Sequence, residues 1–284
     1  MCWPSCIKGS VLRDDEDRLY ALAELSFPHA EETRNRAYSL ASAVYAWALL
    51  FPDDGRRTSL QPEDPRYRLA YDLYNQAVAN GLVMDQGKGL HPYEVGLAPS
   101  VLTLPFGTLH LTLDEAGLSW GGYRLEHFLP TNALQVRDLR NRYRSAGIGA
   151  PLAASGGAAE ASQKVLGSER LGLRTKIPVT ALLRFDHARA GLASGQVRGR
   201  IEVYATDETP TVKIDGREQL LESDPTAALA CQLEGNPLYG AVIVGFFPGT
   251  ARFGAQCRET APRTGRSCCN LTNRGRFPWC WCME

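Results

Sequence analysis

Long hydrophobic runs, an excess of charge of either sign and a cysteine framework are all missing from this 284-residue chain. No apolar run approaches the roughly 18 residues that cross a bilayer. The longest helical candidate is interrupted by Ser39, Ser42 and the Tyr/Trp set between Ala43 and Leu50. A membrane-spanning helix is therefore not expected. Lys plus Arg number 31 and so do Asp plus Glu, which leaves no global field to draw nucleic acid or an anionic membrane. Cysteine is scarce in the body: Cys2 and Cys6 open the chain, Cys231 stands alone, and Cys257, Cys268, Cys269, Cys280 and Cys282 gather at the end. Such a distribution suits a body not held by disulfides. No C-x-x-C pair occurs, and neither the adjacent Cys268-Cys269 nor the C-x-C of Cys280 and Cys282 has the spacing of a structural zinc module.

The motifs of nucleotide and metal chemistry are absent too. There is no Walker A lysine loop, no G-x-G-x-x-G after a strand, no H-E-x-x-H and no EF-hand loop, so neither a cofactor nor a metal is expected. Met1-Cys2-Trp3-Pro4-Ser5-Cys6 lacks the basic start and apolar stretch of a secretory signal. The compartment stays open: cytoplasm for the chain as written, or the cell envelope if its true start lies further upstream.

What is present is ample apolar content, 44%, in a length that accommodates two ordinary domains. Asp14–Phe27 and Glu31–Phe51 read as helices with acidic first turns and stops at Pro28 and Pro52. Ala37, Leu40, Ala41, Val44, Tyr45, Ala48 and Leu49 recur at helical spacing, so one face of the second helix packs on a neighbour. Asp64-Pro65 supplies an N-cap and a first-turn proline for a third helix, Leu69, Leu73, Ala77 and Val78 its stripe, and Gly81 its end. Its Tyr67, Tyr71, Tyr74 and Ala77 pattern resembles tetratricopeptide helices, although no second copy recurs at a fixed period.

From about Val101 the period becomes two. Thr108–Leu113 alternates, Asp114–Gly117 turns and Leu118–Phe128 returns, which predicts a β-hairpin. Ala146–Gly167, rich in Gly, Ala and Ser, reads as a long loop. Ile177–Phe185, Gly199–Ala205, Thr211–Ile214 with a turn at Asp215-Gly216, and Ala241–Phe247 read as further strands, with a helical crossover over Asp224–Ala230. The fold class expected is α+β: an N-terminal helical hairpin array over 14–92, then a mainly antiparallel β region over 93–254, a small sandwich or barrel-like sheet. Residues 1–13 are expected to be a disordered start and 255–284 a disordered tail.

Gly117-Leu118-Ser119-Trp120-Gly121 matches G-x-S-x-G, the nucleophile-elbow pattern, which makes Ser119 the candidate catalytic serine. An elbow needs a strand, a strained turn carrying the serine and a covering helix, whereas here the pattern begins in a turn and runs into an alternating strand. His110, His127 and His187, with Asp114, Asp138 and Asp186, are the partners a triad would draw on. His110 and His127, on opposite arms of the predicted hairpin, are more simply cross-strand neighbours. Arg137, Arg140, Arg142 and Arg144 cluster near Tyr143, but Asp138 and the neutral total favour a solvated face over a nucleic-acid site.

The end of the chain carries a different signal. Trp279-Cys280-Trp281-Cys282-Met283-Glu284 is spelled by codons so restricted that reading one nucleotide earlier gives Val, Leu or Met, then Val-Leu-Val, His or Tyr, and Gly. Upstream, Ser267–Gly275 permits Leu-Leu-Gln-Pro-Tyr-Gln-Pro-Gly and Arg276-Phe277 permits Ile or Val followed by Pro. A Pro, four apolar residues and His-Gly resemble the strand and oxyanion-hole turn that open the catalytic domain of α/β-hydrolase-fold lipases and esterases. Lys213–Arg217 and Asp224–Ala230 in the body add to the resemblance. It implies the accessory N-terminal region of a bacterial esterase or lipase-like protein, with a Ser-His-Asp triad in a following domain beyond a frameshift. The chain itself is then expected to be inactive, its partner being its own catalytic domain and its substrate class a lipid or other ester. The alternative is a stand-alone helical-plus-β module that binds a peptide, glycan or protein. Sequencing the coding DNA from the codon of Gly249 onward is expected to show Val-Leu-Val-His-Gly one nucleotide out of frame, followed by an open frame with a strand, a G-x-S-x-G turn and a helix. An uninterrupted frame without that continuation overturns the frameshift.

Overall fold

The computed structural model describes residues 12–55, 58, 60–84, 93–133, 143–157 and 176–233. The chain divides into two units, Met1–Asn236 and Pro237–Glu284, and every described residue belongs to the first. The expected strand at Ala241–Phe247 and the tail over 255–284 lie outside the described residues, as does most of the expected disordered start. The architecture is α+β, with five helices and a mostly antiparallel seven-stranded sheet among the described residues.

Helix α1 spans Leu12–Thr33 and runs through Pro28, where a stop was expected. A proline inside a helix removes one backbone bond and costs about 3 kcal/mol. Leu19, Ala23, Phe27 and Ala30 nevertheless keep helical spacing on both sides of it, and all are buried. The chain breaks instead at Arg34, whose φ of 54° is left-handed. The N–H of Asn35 reaches back to the Ala30 carbonyl at 3.1 Å, the closing bond of a Schellman end. Asn35 then caps α2 (Arg36–Leu50), its side chain accepting from the Ala37 N–H at 3.0 Å. Helix α2 therefore starts at Arg36 and not at Glu31.

Every residue of α2 from Ser39 to Leu50 is buried, more than the single apolar face expected, because α1, α3 and the sheet surround it. Its small residues allow that crowding. The Ser42 hydroxyl donates to the Ala23 carbonyl of α1 at 2.8 Å, and a Cβ added at Gly81 of α3 would fall 2.7 Å from the Leu40 side chain. Helix α3 spans Pro65–Gly81 with Asp64 as N-cap and Pro65 in the first turn, the bounds read from the sequence.

Strands β1 (Ser100–Leu104), β2 (Gly107–Leu113), β3 (Ser119–Trp120), β4 (Tyr123–Pro130), β5 (Ala150–Gly157), β6 (Lys176–Asp186) and β7 (Gln196–Ala205) form one sheet, in the order β1-β2-β7-β6-β5-β4-β3. The short helix α4 (Ala188–Ser194) joins β6 to β7. Strands β8 (Thr211–Ile214) and β9 (Arg217–Leu220) make a separate two-stranded ribbon through the Asp215-Gly216 turn, and α5 (Pro225–Leu233) follows. The β region thus takes the form of one open sheet with a ribbon beside it.

Two expectations are corrected here. The hairpin between Thr108–Leu113 and Leu118–Phe128 does not form: β2 pairs with β1 and, in parallel, with β7, while β4 pairs with β3 and β5. Alternation identified both strands but carries no information on partners. The expected loop over Ala146–Gly167 contains β5, which is hydrogen-bonded on both sides, to β4 and β6. Its Ala150, Ala153 and Ala154 are fully buried, so low side-chain volume there serves close packing and not a turn.

Helices and sheet share one core. Trp47 of α2 lies with its ring 5.9 Å from that of Phe185 and 5.5 Å from that of Tyr74. The pairing of β5 with β6 ends at Ala150 opposite Ala181, and two residues further along β6 the Tyr74 hydroxyl donates to the Leu183 carbonyl at 2.7 Å and accepts from the Leu183 N–H at 3.0 Å. A buried backbone flank is thereby satisfied by a side chain. Tyr74→Phe is expected to leave both Leu183 groups unpaired and to lower stability by about 1–3 kcal/mol, read as a lower urea midpoint at unchanged slope.

Candidate functional site

At the end of β6, His187 adopts φ 46° and ψ 54° and turns the chain directly into α4, which ends at Gly195 with φ 72°. The Asp53 carboxylate, from the loop after α2, accepts from the N–H groups of Arg189 at 3.2 Å and Ala190 at 2.9 Å. It pins that loop to the first turn of α4. The β8–β9 turn, with φ 49° at Asp215 and 74° at Gly216, stands opposite. Between these walls lies a cleft of about 830 Å³ whose lining includes the apolar residues Trp47, Phe51, Phe185 and Ile214. Phe51, Ile214 and Asp215 also line an adjoining pocket of about 430 Å³, together with Tyr67, Tyr71, Arg217 and Gln219.

The polar groups of the larger cleft fall into two sets. Arg184 is committed: its Nε and Nη2 donate to Glu202 at 2.9 and 3.0 Å and its Nη1 to the Lys213 carbonyl at 3.1 Å. Tyr204 donates to the same carboxylate at 2.8 Å, and burial, helped by that bond, pushes its hydroxyl up to about 12. Asp186 and Arg198 are register partners on β6 and β7, yet their side chains make no hydrogen bond or ion pair with a described residue; nor does that of His187. Four polar side chains that line the cleft, those of Asp186, His187, Arg198 and Asp215, thus have no partner among the described residues.

A second polar cluster centres on the buried Glu222 and Asn75, with Arg144 reaching in from the surface. Glu222 accepts from Arg144 Nε at 2.9 Å, from Arg144 Nη2 and from Asn75 Nδ2, while the Thr180 hydroxyl donates to its carbonyl. The Asn75 amide also donates to the Gly147 carbonyl at 2.9 Å and its Oδ1 accepts from the Gly149 N–H at 2.7 Å. Burial holds the Glu222 carboxyl above its ordinary range; Arg144 and Asn75 oppose this and Asp72 adds to it.

Among the described residues, Ser119 hydrogen-bonds to none of the histidines and aspartates singled out in the sequence. Ser119 is exposed on β3 at one edge of the sheet, with extended backbone at φ −122° and ψ 132°. Both glycines of its motif have other duties. A Cβ at Gly117 would lie 2.0 Å from the Val203 carbonyl oxygen, and Gly121 at φ 55° with Gly122 at φ 83° forms the two-residue turn into β4. His110, on β2, is five strand spacings away, roughly 24 Å, and contacts Gln196 at 3.2 Å. His127 sits in the bulge of β4 at φ 51°, its Nδ1 2.8 Å from Glu94. The expectation that His110 and His127 are cross-strand neighbours is thus overturned, because β7, β6 and β5 lie between their strands. Asp114 caps the short turn Glu115–Leu118 through the Ala116 N–H at 3.0 Å. Asp138, Arg137, Arg140 and Arg142 lie outside the described residues, and Arg144 is bound to Glu222.

Of the five described His and Asp residues among those six, His187 and Asp186 line the cleft, with Arg198 beside them, a group that sequence reading did not single out. The signal for the pair was positional, adjacent polar residues where a strand gives way to a helix. Among the described residues no group of three or more His, Cys, Asp or Glu could hold a metal ion, and no helix is long and apolar enough to cross a membrane. Compared with known protein families, curated proteins and solved structures, the chain matches none.

A carboxyl with a raised folded-state pKa favours the folded state most below its ordinary value, 4.5 for Glu222, and that contribution is lost as pH rises through the folded value. The urea midpoint of the wild type, relative to Glu222→Gln, is accordingly expected to fall as pH is raised from about 4 toward 7. A constant difference across that range refutes the assignment.

Proposed function

We propose that this chain works by binding and not by catalysis, as an accessory module of the ester-hydrolase class that its reconstructed C-terminal frame resembles. The cleft beside α4 carries the reading. It offers about 830 Å³ lined by both aromatic and polar side chains, and its Asp186, His187, Arg198 and Asp215 are without side-chain partners among the described residues. Concave sites of this size, with aromatic surface and convergent polar groups, are where small ligands and ligand side chains bind. The surroundings of Ser119 weigh in the same direction. A nucleophile needs a base within hydrogen-bond reach and a nearby pair of oxyanion donors, and Ser119 stands at a hairpin edge with His110 on a strand near the opposite edge.

The stand-alone binding module for a peptide, glycan or protein shares this cleft. All of its lining residues fall between Trp47 and Asp215 within one unit, which suits a module that needs no second domain to form its site. Incubation with a fluorophosphonate probe is expected to leave the protein unlabelled, and any background ester turnover is expected to be the same in Ser119→Ala. Labelling that disappears in Ser119→Ala would make the chain a serine hydrolase and end the binding reading.

A further inference from the structure

We infer that the pocket between Tyr67, Tyr71 and Gln219 is a subsite for a neutral sugar ring, and that a linked second ring extends from it into the larger cleft. The inference rests on the binding reading above and gives it a ligand class. Its basis is the sign, type and order of the polar groups around the 430 Å³ pocket.

Among the residues lining that pocket, Asp215 and Arg217 carry the only charges, one of each sign, and Arg217 Nη2 is already engaged with the Gly55 carbonyl at 3.0 Å. One charge of each sign leaves the lining neutral overall, which favours a neutral occupant over an ion. The neutral groups form a directed chain. The Tyr71 hydroxyl donates to Gln219 Oε1 at 3.1 Å, so its one proton is spent and Tyr67 is the donor in the 3.3 Å contact between the two hydroxyls. What this leaves for a ligand is a lone pair on the Tyr67 oxygen and the two N–H donors of the Gln219 amide. Paired acceptors and donors at neighbouring points are what vicinal hydroxyls satisfy, since each both donates and accepts.

The apolar part of the pocket fits the same ligand. The Tyr67 and Tyr71 rings are 5.2 Å apart and the Phe51 ring is 6.5 Å from Tyr71, so aromatic surface stands beside the hydrogen-bonding groups, where the C–H face of a sugar would lie. Phe51, Ile214 and Asp215 border both spaces, so the pocket and the cleft adjoin, and a second ring linked to the first is directed toward the cleft. The polar groups beyond, Asp186 and Arg198, are planar and bidentate, suited to pairs of adjacent hydroxyls.

The test is calorimetric titration of the full chain with cellobiose, maltose, lactose and N,N′-diacetylchitobiose, beside acetylated and amidated Ala-Lys-Ala and Ala-Glu-Ala tripeptides. Saturable binding of at least one disaccharide is expected, with a Kd of about 1 mM or tighter. Tyr71→Phe keeps the ring and removes the hydroxyl, and is expected to weaken that binding about two- to tenfold. Gln219→Leu, on the ribbon, is the second variant, and thermal midpoints show that each remains folded. Failure of all four disaccharides, or binding that both folded variants leave unchanged, overturns the sugar assignment. Saturable binding of a tripeptide in place of the sugars also overturns it while leaving the binding reading in force, whereas Ser119-dependent fluorophosphonate labelling removes that reading itself.

Discussion

Two consecutive side chains of α3, Tyr74 and Asn75, take over the hydrogen bonding of the sheet where β5 begins. Tyr74 bonds both backbone groups of Leu183, and Asn75 bonds Gly149 and Gly147 on the approach to β5. A strand that starts late leaves its neighbour's N–H and C=O without partners, and in a dry core each such group costs more than an ordinary hydrogen bond returns. Helix α3 is consequently not free to slide or rotate against the sheet. The rest of the arrangement follows, because α3 also packs along α2, and α2 along α1.

The same helix extends its N-terminal half beyond the sheet. Tyr71 and Tyr67 lie about one and two turns before Asn75, and Tyr71 reaches the β8–β9 ribbon through Gln219 at 3.1 Å. Anchoring at Tyr74 and Asn75 thus fixes the wall of the pocket at Tyr71. On the other side, Asp53 fixes the loop after α2 to α4, and Arg184 ties β6 to the ribbon through the Lys213 carbonyl. The cleft is held by three hydrogen-bonded ties from separate parts of the chain, which is what a preorganised site requires.

Local features of this fold were legible in the sequence and pairing was not. Asp64, Pro65 and Gly81 bounded α3, Asp215-Gly216 made its hairpin, and Asp224 caps α5 through the Ala227 N–H at 2.9 Å, each a short-range signal. Pro28 misled because its cost is a few kcal/mol and a buried stripe on both sides outweighs it. The segment Ala150–Gly157 misled because small residues mark both turns and crowded central strands. The hairpin between β2 and β4 failed since period two reports a face and never a neighbour. At the candidate site, Asp186 and His187 were visible as residue types. The tyrosine pair read as helix packing, and Phe51, Gln219 and Arg198 offered no signal, because what matters about them is convergence from distant positions.

The single parallel pairing of the sheet, β2 with β7, sets residue 108 beside residue 196. Strands β6 and β7 are joined by the short α4 and can close as a local unit, and the β1–β2 and β3–β4 turns need only two residues each. The parallel contact must wait for the entire excursion through β3, β4, β5 and β6 to be in place or loosely looped out. Closing so long a segment carries a large entropic penalty, and such long-range contacts are what slow the folding of a chain. The β1–β2 and β3–β4 hairpins and the unit of β6, α4 and β7 are thus natural early structures, and the seam between β2 and β7 is where a nascent chain stays open longest, each strand paired on its other side only.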